Sequence, residues 1–447
     1  MLKTTRRGFL AGCSAAIASY AGSRFNTLAF GDPSDNQEIL VVIFLRGGMD
    51  GINFMPPVAG PDRGRYEAAR PSLQIPTSGA GAALPIDGPF GFHPAAAPLR
   101  ERNQNGSLAE IQGNGMSTVI NKSHFDAMQF VELGTPGEKT IPTGWLTRHL
   151  QTASNLPADV VMPALAVGGL QPLSHAGNLE AVNLTDPERF NIANGPYDWR
   201  TQQKETLRQM FESRSSWMHD AGAKALDAVD IVEGAVTDEY APSNGAVYPD
   251  GELGRHLQVL AQMVKLDLGI QVATVDYGGW DTHENQGASA GTFATLVGAL
   301  AESLHAFYTD LDGPGAAAYT RRLTVVVQSE FGRELYENGD GGTEHGYGSQ
   351  LFVLSGSAIG GLHGAWPGLA PGQLVDGTDL AVTTDYRRVL SEILIRRMGN
   401  TDISTIFPGY TGYRPLGIVE GEDLPLPEVF ADGFESGDLR AWSGSQP

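Results

Sequence analysis

The residues able to do chemistry in this chain fall in four polar stretches, each beyond an apolar run. The first is Arg46-Gly47-Gly48-Met49-Asp50-Gly51, where flanking glycines leave the Asp50 carboxylate open. An Asx turn or a helix N-cap is the competing role for that aspartate. The second runs through Asn121-Lys122-Ser123-His124-Phe125-Asp126. Ser123 stands where a short helix over residues 123–132 would begin, so its hydroxyl is either a cap or a nucleophile near the positive end of a helix dipole. His124 beside it joins Ser123 as a candidate catalytic residue. The third stretch, Gly278-Gly279-Trp280-Asp281-Thr282-His283, has a carboxylate and an imidazole two residues apart. In an extended loop both project to one side and can grip one cation. The fourth carries Glu330 in Ser329-Glu330-Phe331-Gly332-Arg333 and His345 in Gly342-Thr343-Glu344-His345-Gly346. A salt bridge to Arg333 or Arg46 is the structural alternative for Glu330, and a loop hydrogen bond for His345.

Taken together, Asp50, Asp281, His283, Glu330 and His345 are ordinary ligands for a divalent metal. Mixed nitrogen and oxygen donors suit zinc or manganese better than calcium. Zinc leads, with manganese, calcium and magnesium as alternatives. Arg46, Lys122 and Arg333 are the candidate holders of an anionic substrate. No P-loop, nucleophile elbow, His-Glu-x-x-His helix or dinucleotide fingerprint is present.

The elements that must position these groups are readable from periodicity. Apolar, β-branched runs at 38–48, 107–113, 160–167, 271–277, 322–328 and 350–354 read as strands, the first buried on both faces. Helical patterns lie between them at 197–213, 253–268 and 292–311. A last helix, capped at Thr383-Thr384-Asp385, runs to about Met398. The alternation predicts an α/β fold with a central, mostly parallel sheet flanked by helices. In such sheets ligands bind beyond the carboxyl ends of the strands, where all four stretches lie.

The ends of the chain carry a different message. Thr5-Arg6-Arg7-Gly8-Phe9-Leu10 followed by a short apolar stretch without acids reads as a twin-arginine export signal over residues 1–30. The expected partner is the twin-arginine translocation machinery, and the expected location is periplasmic, secreted or cell-surface. The single cysteine, Cys13, lies in that signal, so a mature chain would have no disulfide or thiolate ligand. The formal charge is −21, and residues 1–30 hold four bases and no acid, so their removal makes it −25. That balance argues against nucleic acid and anionic lipid as partners. No later run of about 20 apolar residues suggests a transmembrane segment. Residues 35–415 read as one α/β domain. Residues 417–447 read as an acidic tail carrying Asp432-Gly433-Phe434-Glu435-Ser436-Gly437-Asp438 and then Ala441-Trp442-Ser443, either disordered or a sorting signal.

The same strings carry a resemblance. Residues 41–51, 123–127, 278–283 and 329–346, with Trp366-Pro367-Gly368-Leu369 and Thr383–Arg387, resemble the family called domain of unknown function 1501. That family in turn is similar to the alkaline phosphatase and sulfatase superfamily. The resemblance implies a three-layer sandwich and an exported, metal-binding protein that hydrolyses a phosphate or sulfate ester. It makes Asp50 similar to the first-strand metal ligand, Ser123 to the nucleophile, Asp281 and His283 to an Asp–His pair, and His345 to the late metal histidine. Glu330 stands where an Asp-His pair usually ends a strand. Phe331 follows it instead of an imidazole, which is then missing unless His124 replaces it. The alternative function is a non-catalytic exported binding or assembly protein that retains the fold. Substrate choice would lie in loops such as 56–93, which carry no motif.

Overall fold

The computed structural model describes residues 37–156, 160, 162–192, 199–236, 238–314 and 318–427. The twin-arginine stretch with Cys13, and residues 428–447 of the acidic tail, lie outside the described residues. Among those described, no helix is long and apolar enough to cross a membrane.

Among the described residues, one nine-stranded sheet organises the fold. Its strands are β1 (Ile39–Leu45), β2 (Leu108–Gly115), β3 (Ala164–Val167), β4 (Ala181–Leu184), β5 (Val272–Tyr277), β6 (Leu323–Ser329), β9 (Ser349–Ser355), β10 (Gly361–His363) and β11 (Thr384–Asp385). A separate hairpin, β7 (Arg333–Glu337) and β8 (Thr343–His345), interrupts the series. The sheet order is β10-β2-β9-β6-β1-β5-β3-β4, and β11 also pairs with β2. β1 is central, parallel to β5 on one side and to β6 on the other.

The six apolar runs recognised in the sequence are all strands of this sheet. The expectation of a mostly parallel sheet is corrected, however: the sheet is mixed, because β9 runs antiparallel to both β6 and β2. A parallel return needs a crossover of a dozen or more residues, usually a helix, to carry the chain back to the opposite edge. Between Ser329 and Ser349 the chain instead forms the β7–β8 hairpin and has no helix. It therefore re-enters the sheet from the edge at which it left.

Both faces of the sheet are covered. All seven residues of β1 are buried, as a central strand demands. Ile39, Val41, Ile43 and Leu45 face a core shared with Leu253, Leu257 and Leu260 and with Phe293, Leu300, Leu304 and Phe307. Leu40, Val42 and Phe44 face the other core, with Phe130, Trp145, Val389, Leu390 and Ile393. The helices that supply them are α2 (His124–Leu133), α3 (Trp145–Thr152), α4 (Glu252–Lys265), α5 (Thr292–Leu311) and α6 (Tyr386–Arg396), with α1 (Gly51–Phe54) a single turn after β1. Burial of each large apolar side chain contributes about 2 kcal/mol. That exceeds what an exposed ion pair adds, so the layers hold the edge loops rather than the reverse. A helix at Trp217–Ala235 is absent from the apolar-spacing reading, and only Leu226, Ala228 and Val232 of it are buried. The described start of the acidic tail is packed: Ile418 and Val419 are fully buried, and Glu392 of α6 accepts the amides of Leu416, Gly417 and Ile418.

Candidate metal centre

The carboxyl edge of the sheet gathers the ends of β1, β5 and β6, the β7–β8 hairpin and the start of α2. Two glycines after β1 make this possible. A Cβ on Gly47 (φ +125°) would lie 2.4 Å from the Asp281 amide nitrogen, and one on Gly48 (φ +68°) 2.4 Å from the Phe331 ring. The hairpin register sets His345 opposite Arg333. The hairpin is tied to the Asp281 loop by the Thr343 amide, which donates to the Thr282 carbonyl at 3.2 Å.

Three imidazoles share one orientation there. His345 Nδ1 lies 2.8 Å from the Lys122 carbonyl oxygen, which can only accept, so that nitrogen carries the proton. His124 Nδ1 lies 2.6 Å from Glu330 Oε1, and His283 Nδ1 lies 3.0 Å from Glu344 Oε2. With Nδ1–H turned to these acceptors, each neutral ring carries its lone pair on Nε2. All three Nε2 atoms converge on Asp281 Oδ1, at 3.3 Å from His124, 3.0 Å from His283 and 3.1 Å from His345. His283 and His345 also bring their Nε2 atoms within 2.9 Å of each other. His124 Nε2 is buried with no hydrogen-bond partner. The ligand atoms of His124, Asp281 and His345 all lie within 4.8 Å of one another.

This donor set fits a divalent cation. Lone pairs converging at such distances repel unless a positive charge lies between them. Separations of 2.9–3.3 Å match the edges, roughly 2.9–3.4 Å, of a polyhedron with metal–nitrogen bonds of about 2.0–2.1 Å. Rings whose outer N–H is held by a carboxylate or carbonyl are the usual form of metal-binding histidine.

Electrostatics around the cluster differ group by group. Burial acts to raise the Asp281 carboxyl, but the hydrogen bond from Arg333, the contact with His345 and the Arg333 charge outweigh it and hold the group well below the usual carboxylate range. The Glu330 hydrogen bond raises His124 against burial, whereas burial lowers His345. Arg333 is almost fully buried and donates to the carbonyls of Gly48 (2.7 Å), Thr343 (2.9 Å) and Trp280 (3.1 Å), as well as to Asp281. Phe331 packs under the cluster, its ring 4.9 Å from those of His124 and His345. The phenyl ring supports the imidazole of His124, contributed from α2.

The other sequence-derived candidates occupy different places. Glu330 is buried behind His124, its oxygens engaged by the Gly47 amide, Ser329 Oγ and His124 Nδ1, so it orients a ring. Asp50 lies apart from the three-residue cluster. It accepts from the Asn53 amide as the N-cap of α1, forms a 2.6 Å ion pair with Arg70, and receives Gln286 Nε2 at 2.6 Å. Gln286 in turn accepts from Thr282 and Thr343, so Asp50 braces both site loops from behind. Arg46 is paired with Glu132 and Asp276, and Lys122 with Asp379 and Glu334. Ser123 is the exposed N-cap residue of α2, yet its hydroxyl does not cap the helix. Glu344, Arg70, Gln286, Glu132 and Asp276 were missed by sequence reasoning. Glu344 adjoins His345 but serves His283, a pairing that no local pattern signals.

The segment that carries most of this centre also decides the family. Residues 135–406 match the family model described as Protein of unknown function (DUF1501). The chain belongs to the DUF1501 family. No curated protein matches it. Within the DUF1501 segment lie Asp281, His283, Glu330, Arg333, Glu344 and His345, while Asp50, Ser123 and His124 precede it.

Proposed function

We propose that this DUF1501 protein is an exported, divalent-metal-dependent hydrolase of a phosphate or sulfate ester, of the alkaline phosphatase and sulfatase type. The observation that carries the proposal is the convergence of three Nε2 lone pairs on Asp281 Oδ1, with each Nδ1 held from outside. His124, His283, His345 and Asp281 bind the cation, with zinc the first candidate for such a nitrogen-rich set. Glu330, Glu344 and the Lys122 carbonyl hold the rings in place. When bound, the cation supplies a Lewis acid that polarises an ester oxygen. Ser123, whose hydroxyl is not used as a cap at the start of the ten-residue helix α2, is the candidate nucleophile. The amides of that helix end favour the anion that develops beside it. Export rests on the twin-arginine string in residues 1–30.

A second reading, a non-catalytic exported binding or assembly module, is supported by one observation: Arg46, Lys122 and Arg333 are all already paired with carboxylates. One experiment separates the two. Full-length protein is loaded with zinc, its metal content measured, and aryl phosphates, phosphodiesters and aryl sulfates are offered. Stoichiometric metal with turnover supports the hydrolase. Stoichiometric metal without turnover on any ester supports the module, and no metal uptake defeats the hydrolase and its metal site.

A further inference from the structure

We infer that this site selects esters bearing no more than one negative charge, and that Asp379 and Glu132 impose the selection; this rests on the hydrolase reading above. The selection turns on the cations available to a bound anion. Three are near the centre by construction. Arg46 precedes Gly47, whose amide binds Glu330. Lys122 gives its carbonyl to His345, and Arg333 binds Asp281. Each is spent. Arg333 is buried, with its guanidinium divided among four carbonyl contacts and Asp281. Arg46 holds Glu132 of α2 at 2.5 Å through Nη2 and Asp276 at 2.9 Å through Nε. Lys122 holds the fully buried Asp379 at 2.8 Å and Glu334 at 3.5 Å.

Among the described residues, the other charged groups that touch the imidazoles are carboxylates. Glu330 and Glu344 stand behind two of the rings, and Asp281 sits at their focus. The charge of a bound ester therefore meets only the cation and the amides at the start of α2, inside a ring of acids. A phosphate monoester, with a second pKa near 6, carries about two charges above neutrality. A second charge adds repulsion from several carboxylates and gains no new counter-ion, whereas a phosphodiester or sulfate ester carries one. Discrimination here comes from repulsion of the wrong substrate as much as from attraction of the right one.

The test uses zinc-loaded, full-length protein at about pH 8, with p-nitrophenyl phosphate against bis(p-nitrophenyl) phosphate and p-nitrophenyl sulfate. The inference expects kcat/KM for the two monoanions to exceed that for the dianion at least about tenfold. Asp379→Asn, which leaves Lys122 only the longer pair with Glu334, and Glu132→Gln, which leaves Arg46 only Asp276, each remove one of two counter-charges and should each shift the ratio toward the dianion by about tenfold. Calorimetry with phenylphosphonate and its monomethyl ester reads the same preference as binding, in wild type and both variants, with no dependence on turnover. Absence of turnover together with monoanion-selective binding removes the hydrolase and keeps the charge selection. A wild-type preference for the dianion, or a ratio unmoved in both folded variants, overturns the inference.

Discussion

His283 Nε2 and His345 Nε2 lie 2.9 Å apart, while their Nδ1 atoms are turned outward to Glu344 and to the Lys122 carbonyl. Two imidazole lone pairs at that distance are stable only around a cation or a shared proton. Replacing His283 or His345 by alanine should reduce bound zinc to well below one equivalent. Glu330→Gln and Glu344→Gln, which keep the shape and remove the charge behind a ring, should weaken zinc binding about 10–100-fold. Chelator competition measures both. Tight zinc binding that survives loss of either histidine would mean the cation sits elsewhere.

Ser123 provides a sharper test of chemistry because its exposed hydroxyl does not cap the helix it begins. Ser123→Ala should leave folding and zinc content unchanged. If Ser123 is the nucleophile, turnover should fall by about a thousandfold or more. Unchanged kcat would remove Ser123 from the mechanism.

Asp50 distinguishes a ligand from a brace. Its ion pair with Arg70 is wholly buried. Arg70→Met strands the Asp50 charge and should cost about 3–5 kcal/mol in denaturant unfolding. Asp50→Asn should lower stability while one equivalent of zinc is retained. Loss of zinc with stability intact would instead place Asp50 among the ligands.

Stability should vary with pH through buried groups remote from the centre. Burial raises Glu110 of β2 from 4.5 to about 8, against hydrogen bonds from Asn103. Its folded value lies above its unfolded one, so its contribution is full below 4.5 and is lost as pH rises through about 8. Burial lowers His149 and His175 from 6.5 to about 4, so theirs is present above 6.5 and is lost as pH falls through about 4. Between about pH 6.5 and 8 unfolding free energy should decline by up to roughly 1.4 kcal/mol per pH unit. Glu110→Gln should flatten that decline in urea titrations, and a slope identical to wild type would refute the assignment.

Export can be tested without the structure. Changing Arg6 and Arg7 to lysine in the native host should trap the protein in the cytoplasm, as cell fractionation would show. Unchanged export would sink the twin-arginine proposal.

Much of the scaffold was legible from local spacing. The helix expected at Thr292–Leu311 has those bounds, and the seven-residue core of the first apolar run is the central strand. Two-residue spacing marked Asp281 and His283 as a pair, and they meet at one oxygen. Such features depend on neighbours a few residues apart, which periodicity reports. The direction of β9 was not legible, because it depends on what the chain does between Ser329 and Ser349 rather than on the strand's own residues. Nor were the partners of the charged groups. Arg46 finds Glu132 86 positions away, and Lys122 finds Asp379 257 positions away. His124 became a central member through α2, while Asp50, similar in setting to Asp281, was claimed by Arg70. A sequence states which side chains can ionise or coordinate. Which of them still have a free lone pair or an unspent charge is decided when the sheet edge brings distant loops within about 3 Å, the range over which hydrogen bonds and ion pairs commit them.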